Sequence, residues 1–235
     1  MLLCIGHRGA RGYAPENTLK SIAKAIELGT PWIEIDVHLV DNHLVVIHDN
    51  QLKRTTNGIG KVSNKTFNYL RSLDAGEGEK IPTLNEVLDL IDRRAGLNIE
   101  LKGTNTAEAV VNLIQERCSM GWNVQQFLVS AFKRHEIVKT KQLDDRIRTG
   151  ALICGFPFFN AKFAQKLGAY SVHQCLRFIN RKLVKDAHRR GLKVYVYTVN
   201  RPEDVEKMAD MGVDGLFSDY PDRVMHHKRF NKISH

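Results

Sequence analysis

Apolar residues along this chain fall into short runs that alternate with longer, one-sided patterns. The short runs, at 2–6, 32–37, 44–48, 97–101, 127–130, 149–153, 169–172, 193–198 and 214–217, read as strands. The one-sided patterns, at 18–28, 83–94, 106–119, 133–143, 160–167, 180–190 and 202–211, read as helices. In TLNEVLDLIDRR, Thr83 and Glu86 predict a capping box, and Leu84, Val87, Leu88 and Ile91 form one apolar stripe. RPEDVEKMADMG puts Pro202 in the first turn and Gly212 past the end, as a helix requires. Such alternation predicts parallel βα units, and a barrel of eight needs about 250 residues, close to the length of this chain.

Nine strands exceed eight by one. VDNH can turn 32–40 back on 43–48 as an antiparallel hairpin, leaving eight parallel strands and one return strand. A tight crossover to a ninth parallel strand is the other route. The predicted fold is therefore α/β, an irregular (β/α)8 barrel with a β-hairpin. Residues 50–82 show little periodicity and predict a small insertion at the barrel rim, after the strand ending in His48-Asp49. One domain is expected over 1–235, with a basic tail at 224–235.

The hairpin breaks the apolar pattern in an informative way. Alternate residues of a strand share a face, so Ile33, Ile35 and Val37 lie on one side and Trp32, Glu34 and Asp36 on the other. LNIELKG repeats the arrangement, with Ile99 and Leu101 on one face and Glu100 and Lys102 on the other. His7 and Arg8 follow the first strand in GHRGARG, and His48-Asp49 ends the hairpin. A two-residue turn at Asp41-Asn42 would pair His48 with Ile35, and a three-residue turn would pair it with Asp36.

All four clusters stand at the C-terminal ends of predicted strands, where barrel enzymes build their sites. Each alone has a plain structural reading: a solvated Glu-x-Asp edge, a hydrogen-bonded histidine, a glycine turn, a lysine neutralising Glu100. Together they point further. Three carboxylates in one mouth repel unless a cation lies between them, and oxygen ligands favour a hard ion such as Mg2+ or Ca2+. His7 and His48 can exchange protons near neutral pH, and Arg8 and Lys102 suit a phosphate. The combination suggests phosphoryl transfer to a hydroxyl or to water.

Composition changes this picture little. Apolar residues make up 43% and charged residues 26%, as in an ordinary globular protein. No run approaches the roughly 20 apolar residues of a membrane span, and the apolar stretch in MLLCIGHRG is too short for a signal peptide. Cys4, Cys118, Cys154 and Cys175 are scattered without a CxxC, which predicts reduced thiols in a cytoplasmic protein. The net charge of +9 asks for an anionic partner: nucleic acid, a membrane surface or a phosphorylated substrate. Part of it lies in RVMHHKRFNKISH, which lacks aromatic interleaving and reads as a solvated tail.

Taken in order, GHRGARGYAPENT, EIDVHLV…LVVIHD, RTTNGIGKV, IPTLNEVL, IELKG, YTVN and GVDGLFSDYP resemble the motifs of the glycerophosphodiester phosphodiesterases from residue 5 to about 222. The resemblance implies a TIM barrel with a small insertion. It also implies divalent-metal-dependent hydrolysis of glycerophosphodiesters to glycerol 3-phosphate and an alcohol. Glu34, Asp36 and Glu100 would hold the metal, Mg2+ or Ca2+. His7 and His48 would be the acid–base pair, His7 as base and His48 as acid, with Arg8 and Lys102 on the phosphate. Related enzymes form a cyclic phosphate, and the glycerol 2-hydroxyl could attack here in the same way. Tyr197 and Ser218 depart from the family's usual Trp and Thr near the mouth, which bears on the leaving group. Asn17 or Thr18 caps the following helix, and Glu16 and Asn17 also line the site on this reading. His38, His43 and the tail histidines are expected at the surface.

The implied partner is a small-molecule diester, with neither nucleic acid nor stable membrane insertion; the oligomeric state stays open. A lipid-directed alternative, a lysophospholipase D or phospholipase-type activity, predicts an apolar patch at the mouth. Phe67, Tyr69 and Leu70, or FPFFNAKF at 156–163, are its candidates. A basic nucleic-acid-binding module is a third reading, which leaves the inward carboxylates without a role.

Overall fold

Strand β1 (Leu3–Gly6) lies between β2 (Trp32–Val40) and β9 (Gly215–Ser218), parallel to both, and this pairing closes the sheet on itself. The remaining barrel strands are β4 (Gly96–Leu101), β5 (Phe127–Ala131), β6 (Arg148–Ile153), β7 (Ser171–Cys175) and β8 (Lys193–Tyr197). The parallel ring runs β1-β9-β8-β7-β6-β5-β4-β2 and back to β1, and β3 (His43–Val46) pairs antiparallel with the far end of β2. The chain is thus an α/β TIM barrel with one extra strand outside the ring, as the pattern predicted. The computed structural model describes residues 2–155, 161–228 and 230.

Helices α1 (Leu19–Glu27), α3 (Leu84–Ile91), α4 (Ala107–Ser119), α5 (Arg134–Leu143), α6 (Lys162–Lys166), α7 (Arg181–Arg189) and α8 (Pro202–Met211) join the strands. Their apolar stripes bury the outward faces. Ile33, Ile35 and Val37 of β2 and Ile99 and Leu101 of β4 pack under Leu84, Val87, Leu88 and Val110. Val172, Val194, Val196 and Leu216 do the same under Leu183, Val205 and Met208. The capping box at Thr83 and Glu86 is present, and Gly212 ends α8 in the left-handed region. Inside the ring, Ile5, Leu128, Tyr195 and Phe217 form a small apolar plug. The charged residues of β2 and β4 sit in the same interior, so the outward face supplies the core and the inward face is available for chemistry.

The hairpin turns through Asp41 and Asn42, both at positive φ (45° and 62°), the two-residue form whose twist suits the flanking strands. Val40 pairs with His43 and Val37 with Val46. Continued, this register would place His48 opposite Ile35, on the outer face. Pairing stops first: the Ile47 N–H reaches the Asp36 carbonyl at 2.9 Å, and His48 then leaves the strand for the barrel mouth.

The insertion contains helix α2 (Phe67–Ser72), capped by the Thr66 hydroxyl, and single turns at Leu52–Arg54 and Val62–Asn64. Leu52, Val62, Leu70 and Ile81 bury together against Val45 and Ile47 of the hairpin. These pieces are too short to show periodicity, as is α9 (Pro221–Met225), which was not predicted either. Strand β7 lies at 171–175 where 169–172 was predicted, because its second half carries the polar His173 and Gln174.

Candidate active site

Arg8 and Gly9, at the end of β1, both adopt positive φ (53° and 82°), bending the chain sharply as it leaves the barrel. A Cβ on Gly9 would lie 2.5–2.7 Å from Ser21 of α1, so side-chain sterics and backbone conformation both require glycine there. The turn sends the Arg8 N–H to Glu34 Oε2 at 2.9 Å. It also directs His7 and the Arg8 side chain to a cavity of about 170 Å3 at the mouth. Glu34, His48, Glu100 and Lys102 line the same cavity, with Phe132, Leu152, Tyr197 and Phe217 on its apolar side.

Asp36 and Glu100 are in register on β2 and β4, with Glu34 one inward position below Asp36. Glu34, Asp36 and Glu100 each present an oxygen, and these atoms lie within 4.8 Å of one another. All three residues are buried. Burial, then Asp36 and Glu100, raises the Glu34 carboxyl well above the glutamate range. Burial and Asp36 likewise push Glu100 up to about 7, against the pull of Lys102. Burial works to raise Asp36 too, but Lys102, Arg8 and His48 together hold it below the aspartate range. Asp36 Oδ1 is buried and accepts no hydrogen bond; the Lys102 ammonium stands 3.5 Å away. An orphaned oxygen among three crowded carboxylates fits a hard divalent cation, which would offset the desolvation and repulsion together.

Both histidines are held in the same way. His7 Nδ1 lies 2.7 Å from Asp219 Oδ1, and His48 Nδ1 bonds Asp49 Oδ1. A carboxylate accepting from Nδ1 leaves Nε2 of the neutral ring as the free, basic nitrogen. Burial lowers the pKa of His7 despite its bond to Asp219. His48 is lowered too, burial outweighing the Asp36 and Asp49 carboxylates that favour its charged form. Lys102 donates to Glu100 Oε1 at 2.6 Å, and Arg8 Nη1 donates to Glu16 Oε1 at 2.6 Å. Asn17 donates to Asp36 Oδ2 at 2.9 Å, placing that segment behind the carboxylates, while Thr18 caps α1.

The seven residues singled out in the sequence, His7, Arg8, Glu34, Asp36, His48, Glu100 and Lys102, therefore converge. Asp219 was not singled out, although it directly follows a strand in the quoted SDYP. His173 was missed as well; it lines the cavity floor, fully buried, and no strand periodicity marks it. His38 was expected at the surface and is buried, its ring nitrogen 3.3 Å from the His48 carbonyl oxygen. As an even-numbered residue of the continuous strand β2, His38 shares the inward face of Glu34 and Asp36. Tyr197 lines the cavity and anchors its hydroxyl on the Ile153 carbonyl at 2.9 Å. Leu70 is fully buried and Phe67 stacks on His43 at 3.8 Å, so neither offers a free apolar patch. Residues 156–160 of FPFFNAKF lie outside the described residues.

The sequence matches the glycerophosphoryl diester phosphodiesterase family over residues 7–223. A glycerophosphodiester phosphodiesterase of Caldanaerobacter subterraneus subsp. tengcongensis is 36% identical, covering 95% of this chain and 96% of its own. One of Bacillus subtilis is 32% identical over 94% of this chain and 84% of its own. Among solved structures, an Oleispira antarctica phosphodiesterase in complex with the product sn-glycerol-3-phosphate superimposes with a TM-score of 0.87 at 33% identity, covering 95% of each chain. With the carboxylate cluster and paired histidines at the mouth of the same barrel, the chain belongs to the glycerophosphoryl diester phosphodiesterase family and is a phosphodiesterase.

Proposed function

We propose that this chain hydrolyses glycerophosphodiesters to glycerol 3-phosphate and an alcohol. In this reading Glu34, Asp36 and Glu100 hold one divalent cation, Mg2+ or Ca2+; His7 and His48 exchange the protons; Arg8 and Lys102 bind the phosphate. The observation that carries it is the meeting, at one small cavity, of three carboxylates within 4.8 Å and two histidines each oriented by an aspartate.

When bound, the cation would neutralise a phosphate oxygen and polarise the phosphorus for attack. With all groups ionised, three carboxylates against Arg8 and Lys102 leave the mouth negative, and a divalent cation makes it positive, so diester binding depends on the metal. His7 Nε2, unprotonated because burial lowers its pKa, takes the proton from the attacking hydroxyl. That hydroxyl belongs to water or to C2 of the glycerol, the latter giving a cyclic phosphate that water then opens. His48, protonated at Nε2 when the diester is bound, donates to the departing alkoxide; Asp36 and Asp49 favour that charged form. Arg8 is prepositioned by Glu16 and presents its charge without further ordering. A cytoplasmic location belongs to the same reading and rests on four unpaired cysteines.

The test takes metal-stripped protein with glycerophosphocholine and glycerophosphoethanolamine and follows glycerol 3-phosphate with and without Mg2+ or Ca2+. Product should require the cation, and Glu34→Ala should lose it by at least about 100-fold. A folded, metal-loaded protein that yields no product from either substrate would sink the diester reading and turn the search to lysophospholipids.

A further inference from the structure

A line of ion pairs connects the two histidines of the cavity. From His48 Nδ1 it runs to Asp49, and from Asp49 Oδ2 to Nε of Arg54. Arg54 then grips both oxygens of Glu16, at 2.9 and 2.8 Å. Glu16 meets Arg11 at 3.5 Å, and Arg11 Nε lies 2.9 Å from Asp219, which holds His7. The bonds from Arg54 and Arg8 bring Glu16 down to about 2, although burial works the other way, so the hub stays ionised throughout the neutral range. In this line Arg54 belongs to the insertion; the other residues lie on loops that leave barrel strands or the hairpin.

The two aspartates show what Arg54 adds. Asp219 orients His7 with one oxygen while Asn200 holds the other at 2.8 Å. Asp49 orients His48 with one oxygen, and Arg54 holds the other. Asp49 is more exposed than Asp219, with 27% of its side chain open against 12%, so without a second anchor it is free to rotate away. The fork geometry matters: one guanidinium spans Asp49 and Glu16 at once, which a lysine ammonium cannot reproduce.

We propose that Arg54 is a positioning residue for His48, acting through Asp49 and braced on Glu16, so that the insertion completes the proton-transfer apparatus. This rests on the reading that His48 exchanges a proton with the substrate. An isolated exposed ion pair would contribute little, and a mere staple for the insertion would leave the state of His48 unchanged.

The experiment uses the full, metal-loaded chain with Arg54→Ala, Arg54→Lys and His48→Ala, reading glycerophosphocholine kinetics and the 15N spectrum of the histidine rings. In the wild type His48 should show the Nδ1–H tautomer. Arg54→Ala should mix its tautomers while leaving His7 unchanged, and should lower kcat by about 10- to 100-fold with KM within about threefold. Arg54→Lys should do the same to a lesser degree, and it decides the matter if the alanine variant does not fold. An unchanged His48 tautomer overturns the proposal, as does an unchanged kcat or a loss confined to KM. Full activity in His48→Ala overturns both this inference and the acid–base reading. An inactive His48→Ala beside an undisturbed tautomer in the Arg54 variants removes this inference alone.

Discussion

Three carboxylates buried within 4.8 Å of one another are, residue by residue, a destabilising feature in the absence of a cation. Two predictions follow from their electrostatics. Glu100 keeps its proton up to about 7 in the folded protein, whereas a free glutamate loses it near 4.5. A cation entering the cluster must displace that proton. Its affinity should therefore fall as pH drops from 8 to 6, approaching about tenfold per unit below the pKa, with proton release measurable by calorimetry in buffers of different ionisation heat. Equal affinity at both pH values would mean that Glu100 is not a ligand. The second prediction concerns Glu34, raised by burial, Asp36 and Glu100 together. Glu34→Gln removes one repelling charge while keeping an oxygen for the Arg8 N–H. In metal-free protein at pH 8 its Tm should rise, by about 2–4 °C for each ~1 kcal/mol relieved, and the further rise on adding Mg2+ or Ca2+ should disappear. A lower Tm without metal would contradict the repulsion argument.

At the scale of elements, the insertion is where the sequence said least and the structure says most. Its helix α2 is six residues long, below the length at which a 3.6-residue period becomes readable. What organises it is burial of Leu52, Val62, Leu70 and Ile81 on the back of the hairpin. That small core fixes the Leu52–Arg54 turn and hence Arg54. Leu70→Ala should cost about 2–4 kcal/mol in urea denaturation and should lower kcat in protein that is still folded, because the turn loosens before the barrel does. Full kcat with the stability loss would separate the insertion's packing from catalysis. The hairpin teaches a related point. Register alone would have turned His48 outward, and it reaches the mouth because pairing ends at Ile47.

For the whole molecule, closure of the ring is what gives a strand such as β2 two lives. Its odd-numbered residues Ile33, Ile35 and Val37 meet helices in a continuous apolar layer. Its even-numbered Glu34 and Asp36 face an interior whose floor is plugged by Ile5, Leu128, Tyr195 and Phe217. The plug confines polar chemistry to the end of the barrel where the βα loops gather. There β1, β2, β4, β9 and the hairpin, far apart in sequence, each contribute a charged or ionisable group. Within a chain of net charge +9, the mouth gathers three buried carboxylates whose mutual repulsion a bound cation would offset.

The pattern of apolar residues was enough to predict the alternating elements, the barrel and the extra return strand, because periodicity and chain length are local and additive properties. It was also enough to set aside Glu34, Asp36 and Glu100, since a carboxylate inside an otherwise apolar strand is anomalous wherever the strand goes. Glu16, Arg54 and Asp219 break no apolar pattern: each falls inside a stretch that carries the family resemblance, yet a glutamate in a loop, an arginine in an aperiodic stretch and an aspartate after a strand do not show by themselves what they will hold. Only folding brings Arg54 from the insertion to Asp49 and Glu16, and Asp219 to His7 across 212 residues. His38, polar yet buried, shows a different limit: alternation along β2 puts it on the face of Glu34 and Asp36, and its residue type alone suggested the surface. Local chemistry singled out the candidate groups, and long-range packing decided what holds each of them.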